Sequence, residues 1–170
     1  MKKNLLLVVA LIASAITSIA NDNTRYASAS RNWTVDENFS SISAKGNVEV
    51  VLVAVDSKTI SLSGNDEKQV EAVHLKVEDG VLKITGAKGC SEKNRTIVYV
   101  PVNDLGKVTL KGGSNLSSRG RIAIAKLHIR IEGVSKVNVK NIGDVIIDSD
   151  EKHQFTYEKA ERSIIRVEKA

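Results

Sequence analysis

The stretch Leu105-Gly-Lys-Val-Thr-Leu-Lys-Gly-Gly-Ser-Asn-Leu116 is answered one length later by Leu127-His-Ile-Arg-Ile-Glu-Gly-Val-Ser-Lys-Val137. Val108, Leu110, Gly112, Ser114 and Leu116 correspond to Ile129, Ile131, Gly133, Ser135 and Val137, each displaced by 129 − 108 = 21 residues. Apolar residues at every second position describe a strand with one face buried. A Gly-x-Ser corner followed by another short apolar strand, repeated within so few residues, describes a turn of stacked β-structure rather than a separate domain. The expected fold is therefore all-β, a single-domain parallel β-helix or β-solenoid with short strands, with a β-sandwich as the alternative. Placing the copies in register puts Ile129 over Val108.

Working outward, a third copy is damaged. Ile147, Phe155 and Tyr157 follow Ile129, Val137 and Val139 by 18 residues, but Glu151 and His153 stand where the corner Gly and Ser belong. Ile164, Ile165 and Val167 supply a last strand. Upstream, Val48 to Val55 and Lys58 to Ser63 alternate as two strands around a turn at Asp56-Ser57-Lys58. Asp66 to Ala72 has the composition of a short surface helix. Val73, Leu75 and Val77 then run through Asp79-Gly80 into Val81-Leu82-Lys83-Ile84, a hairpin signal, because Asp-Gly accepts the positive φ of a two-residue turn. Thr96 to Val100 ends at Pro101, the only proline, whose missing N–H excludes it from a central ladder position.

At the amino end, Lys2 and Lys3 precede an apolar run from Leu5 to Ile19 that closes on Ser18-Ile19-Ala20, the pattern of a secretory signal peptide cleaved after Ala20. The run is short for a bilayer span, so no membrane span is expected. Residues 21–37 are expected to be a flexible N-terminal segment and residues 38–170 the β-solenoid domain. Trp33 is read as a cover for the open end of the core. Residues 21–170 suffice for one domain with a sizeable core. At about 21 residues per rung they would stack about 7 rungs over about 34 Å.

Composition agrees with a stacked aliphatic interior: after residue 20 the chain holds 19 Val and 13 Ile against 8 Leu, and β-branched side chains suit pleated surfaces. Cys90 is the only cysteine, which excludes an intramolecular disulfide although export would permit one. The net charge of +5 includes Lys2 and Lys3, leaving a mild basicity that solubilises more than it recruits. Nucleic acid is not an expected partner, because the positive charge is dispersed and stacking aromatics are scarce. No cofactor or metal is expected either: His74, His128 and His153 lack a recognised ligand spacing, and His128, between inward Leu127 and Ile129, should face outward.

Along the chain, Phe39-Ser-Ser-Ile42 leading to Gly46-Asn-Val48-Glu-Val50, then Gly80-Val-Leu82-Lys-Ile84, Val98-Tyr-Val-Pro101 and the corners Gly112-Gly-Ser114 and Gly133-Val-Ser135 occur in one order. In these motifs, over about residues 38 to 168, the chain resembles the putative auto-transporter adhesin head domain family, also called the head GIN domain, of exported Bacteroidetes-type proteins. The resemblance implies an exported all-β coil with no established chemistry.

The expected function is thus an exported non-catalytic binding or adhesion module, in the periplasm or at the cell surface, recognising a glycan or a cell-envelope protein. No catalytic residue is assigned. Outward polar positions Asn115, Arg130, Lys136, Asn138 and Lys140 are the candidate contacts, set against the plainer reading of a solvated strand face. The rival is a polysaccharide lyase or hydrolase. Its candidates are the acidic cluster Asp144, Asp148, Asp150 and Glu151, because paired carboxylates divide acid and base roles; Asp148 to Glu151 are expected to form a turn.

Overall fold

The computed structural model describes residues 29–87, 94–102 and 104–149, and the backbone of 165–169. In chain order the elements are β1 (Ala29–Thr34), β2 (Ser41–Lys45), β3 (Val48–Val53), β4 (Thr59–Gly64), α1 (Glu67–Glu71), β5 (His74–Glu78), β6 (Val81–Thr85), β7 (Thr96–Pro101), β8 (Lys107–Lys111), β9 (Asn115–Ile122), β10 (Lys126–Glu132), β11 (Val137–Asn141), β12 (Asp144–Ser149) and β13 (Ile165–Lys169). They form two open sheets, one of six strands in the order β1-β4-β7-β3-β9-β11, the other of seven in the order β13-β12-β10-β8-β2-β6-β5.

The repeated stretch behaves as its periodicity requires. Ile129 lies opposite Val108 on one side and Ile147 on the other, and Ile131 lies opposite Leu110, all in parallel register. Inward residues of both sheets, among them Ile42, Val50, Leu52, Leu82, Val98, Leu110, Leu116, Ile129 and Ile131, belong to one core cluster. Each such fully buried aliphatic side chain contributes about 1.5–3 kcal/mol of transfer free energy, which makes these rows the main source of cohesion.

Each corner carries the chain from one sheet to the other: β2 into β3, β8 into β9, β10 into β11. The corners are tied to one another by backbone bonds, Gly46 N–H to the Lys111 carbonyl (3.3 Å) and Gly112 N–H to the Glu132 carbonyl (2.9 Å). Glycine is required at the second of the repeated corners. Gly133 has φ +112°, and a Cβ there would stand 3.1 Å from the Gly112 nitrogen and 3.2 Å from its oxygen.

Three features differ from the sequence reading. First, the ladders are not parallel throughout: β4 pairs antiparallel with β1 and β7, and β5 pairs antiparallel with β6 through the Asp79-Gly80 turn, where both residues have positive φ. Second, the strand pairs do not follow chain order. The early pair β2–β3 lies between β6–β7 and β8–β9, because parallel pairing selects a matching apolar row wherever it falls in the chain. Third, residues 29–34, expected inside a flexible segment, form β1 on the edge of the six-stranded sheet.

The signal of β1 was hidden because its inward positions are Ala29, Arg31 and Trp33 rather than three aliphatics. Arg31 is half-buried and donates to the carbonyls of Val73 (2.6 Å) and Glu71 (3.3 Å), so its stem covers apolar surface while its head is satisfied. Trp33 packs on the core from this edge, as a cover would. The short helix is present as expected, with the Asp66 side chain accepting from Lys68 N–H (2.9 Å) at its start. Cys90, Asp150, Glu151, His153, Phe155 and Tyr157 lie outside the described residues.

Candidate binding surface

Because strand side chains alternate, each sheet has an inner row against the core and an outer row toward solvent. The outer row of the seven-stranded sheet carries Lys76, Lys83, Lys107, Lys111, His128 and Arg130 together with Glu78, Glu132 and Asp148. Opposite charges lie within reach of one another, both across adjacent strands and along a single strand. Lys111 Nζ is 2.9 Å from Glu132, Arg130 Nε donates to Glu132 (3.0 Å), and Lys76 and Lys83 both engage Glu78. These partners hold the Glu132 and Glu78 carboxyls below the usual carboxylate range, through hydrogen bonds from Lys111 to the first and from Lys83 and Lys76 to the second.

The candidate residues divide between the two sheets. Asn115 on β9, Lys136 at the corner before β11, and Asn138 and Lys140 on β11 come together on the six-stranded sheet. There the Asn115 side chain accepts from Lys136 N–H (3.0 Å) and the Lys140 N–H donates to Ser118 Oγ (2.8 Å). Arg130 does not join them; it lies on β10 of the seven-stranded sheet, beside Asp148 in register. The identical period-two pattern of both sheets conceals which one a strand enters.

The expectation of a turn at Asp148 is also corrected. Asp144 and Asp148 both lie in β12, and Asp148 Oδ2 meets His128 Nε2 at 2.5 Å, with both side chains partly exposed. The acidic run reads as a turn in sequence because its outward carboxylates interrupt the apolar row, whereas Val145 and Ile147 keep the inward one. His128 and His74 face outward, as their neighbours imply. Among the described residues no three His, Cys, Asp or Glu side chains are grouped to hold a metal ion.

Sequence reasoning missed a large concavity. A groove of about 690 Å³ on the outer side of the six-stranded sheet is lined by Tyr99, Pro101, Arg119, Arg121, Val53 and Val55, with Ser57, Thr59 and Ser61 along it. A second cavity of about 90 Å³, among Val35, Phe39, Ile60 and Leu105, lies nearby and shares Ser57 and Pro101 with the groove. The arginines stand where the two repeat copies lose step. Leu116 and Ser117 pair with Val137 and Asn138, a displacement of 21, but Ile122 pairs with Asn141, a displacement of 19. Two extra residues in β9 are accommodated as a bulge at Gly120, whose φ is +81°. That change of displacement is the signal by which the sequence could have revealed them.

The chain belongs to the family described as "putative auto-transporter adhesin, head GIN domain", whose model matches residues 38–155. Among solved structures, one from Parabacteroides distasonis described as a "putative lipid binding protein" is 15% identical over 83% of this chain, with a TM-score of 0.50; the chain spans 66% of its length. A "putative adhesin" from Parabacteroides merdae is 10% identical over 82% of this chain and 95% of its own, at a TM-score of 0.43. One from Bacteroides fragilis is 11% identical over 84% and 96%, at 0.42. No curated protein matches. Among the described residues no helix is long and apolar enough to cross a membrane.

Proposed function

We propose that this protein is an exported, non-catalytic binding module of the adhesin type, built as a short-strand β-solenoid, and that it recognises a glycan or a protein at the cell envelope. Residues 1–20 act as its signal peptide. The observation that carries this reading is the adhesin-head family match across residues 38–155. The stacked strands support it physically: a rigid ladder presents rows of polar side chains at fixed spacing, and many modest contacts add up to recognition without ordering a loop. Asn115, Lys136, Asn138 and Lys140, gathered on one sheet, are the contacts inferred from the sequence; Arg130 would serve only a ligand on the other sheet.

The rival reading as a polysaccharide lyase or hydrolase draws on the contact between His128 and Asp148. Both readings are tested by applying the mature protein to a glycan and envelope-protein array, and by incubating it with a panel of uronate polymers. Saturable binding without cleavage is expected, weakened by Lys136→Ala. New unsaturated ends or reducing sugars would replace adhesion with catalysis, and binding indifferent to Lys136→Ala would remove that residue from the surface.

A further inference from the structure

We propose that the groove carrying Arg119 and Arg121 is a site for an acidic carbohydrate, a glycan bearing uronate residues. This rests on the reading of the chain as a binding module and adds to it a site and a ligand chemistry.

The first argument is the bulge. β9 and β11 are successive copies of one strand, and the shorter copy shows that the fold needs no extra residues there. The insertion lies between Ser117 and Arg121, where residues 118–120 face Val139 alone; Arg119 falls within it, opposite Val53 in register, Arg121 closes it opposite Lys140, and both line the groove. It is fixed rather than frayed: Ser118 Oγ donates to the Gly120 carbonyl (2.9 Å) and accepts from Lys140 N–H (2.8 Å), tying the bulge to the neighbouring strand with one hydroxyl. Bulges re-aim side chains at functional sites.

The second argument is charge. Arg31 and Arg95 donate to backbone carbonyls and Arg130 to Glu132. The side chains of Arg119 and Arg121, both exposed, make no hydrogen bond or ion pair with any described residue, and no carboxylate lines their groove. Asp56, in the adjoining turn, is exposed and does not line it. Two guanidinium groups lining one groove without a counter-charge attract an anion, and their planar forks match a carboxylate.

The third argument is what surrounds them. The half-buried Tyr99 ring, Pro101 and Val53 give an apolar floor, and Val55 is 51% exposed at its rim. The hydroxyls of Ser57, Thr59 and Ser61 are acceptors and donors along the groove. A pyranose has an apolar face for a ring and hydroxyls for such a rim, and the groove falls within the roughly 300–1,000 Å³ typical of small-ligand sites. A lipid phosphate would use the arginines and leave the ring and hydroxyls idle.

The experiment is calorimetric titration of the mature protein with a short oligogalacturonate, a neutral cello-oligosaccharide, and vesicles of phosphatidylglycerol mixed with phosphatidylcholine. Saturable binding of the oligogalacturonate alone is expected. It should weaken as salt rises, fall at least about tenfold in the Arg119→Ala, Arg121→Ala double variant, and persist in Lys76→Ala, a charge removed from the other sheet. Both arginines are exposed, so thermal unfolding of the double variant should match the parent. Unchanged affinity in the double variant, or arginine-dependent vesicle binding in place of the glycan, would overturn the site. So would failure to bind oligogalacturonate; in that case a different array ligand still bound leaves the binding-module reading standing, and an empty array removes both.

Discussion

The strand pair β8–β9 and its copy β10–β11 share a register, a Gly-x-Ser corner and an apolar interior, yet they solve the corner differently. In the first copy Ser114 Oγ accepts from Lys111 N–H (3.1 Å) and lies 3.2 Å from the carbonyl oxygens of Ala44 and Lys111, so its hydroxyl binds its own corner and reaches the neighbouring strand β2. In the second copy Ser135 is equally buried, and its Oγ has no partner among the described residues. The glycines differ in the opposite sense. A Cβ on Gly112 would meet only the Gly46 nitrogen at 3.8 Å, whereas one on Gly133 would press on the Gly112 backbone. The first copy is held by its serine and the second by its glycine, although the sequence writes both corners alike.

That contrast is open to direct attack. Where the copies are equivalent, the largest effects should be equal. Leu110 and Ile131, opposite one another and fully buried, should each cost about 2–5 kcal/mol when changed to Ala. Urea denaturation of both variants decides it, and a loss below about 1 kcal/mol in one of them would show that the copies do not share a core.

The corners should then separate. Gly133→Ala should destabilise by about 2–3 kcal/mol, from a backbone conformation that L-residues avoid plus a backbone contact, and Gly112→Ala by about 1 kcal/mol from conformation alone. Thermal unfolding that ranks them the other way would refute the account of the glycines. Next, Ser114→Ala should cost about 1–2 kcal/mol, while Ser135→Ala should be neutral or stabilising by up to about 1 kcal/mol. Equal losses in calorimetry would mean that Ser135 is bonded as well.

The smallest effect concerns the tie between copies. Glu132 on β10 reaches Lys111 on β8, and its carboxyl is held below its ordinary value of 4.5, chiefly by the Lys111 hydrogen bond. A lowered folded-state pKa means that the contribution is present above that ordinary value and lost as the pH falls through the folded one. With both groups partly exposed it should amount to no more than about 0.5 kcal/mol. Glu132→Gln should therefore lower stability at pH 7 and leave it unchanged once the carboxylate is protonated, as a pair of melting curves at the two pH values would register.

The same pair of strands explains what could be read from the sequence. The spacing of Val108 and Ile129 carries the stacking, because the Gly-x-Ser corner that follows each segment singles out one register where alternation alone would tolerate a slip of two residues. The Asp79-Gly80 turn and the Asp66-capped helix were legible since their chemistry is local. The position of β2–β3 was not, because every inward row has the same aliphatic character and the choice of neighbour depends on contacts far along the chain. Arg130 was grouped with Lys136 because period-two alternation does not reveal which sheet a strand joins. Arg119 and Arg121 flank Gly120, where three residues of β9 face one of β11 and the 21-residue spacing breaks, so the repeat itself does not point to them.

The placement of β2–β3 between later strands also has a temporal consequence. Ser41 waits for Lys107, 66 positions downstream, before that side of its strand is closed. As the polypeptide is synthesised, this pair emerges early with both of its long sides open to any passing strand, and the closing partners β8 and β9 arrive only after β4 to β7. Assembly governed by such distant pairing is slow, on the order of milliseconds to seconds. The nascent chain must cross that interval without pairing with its neighbours.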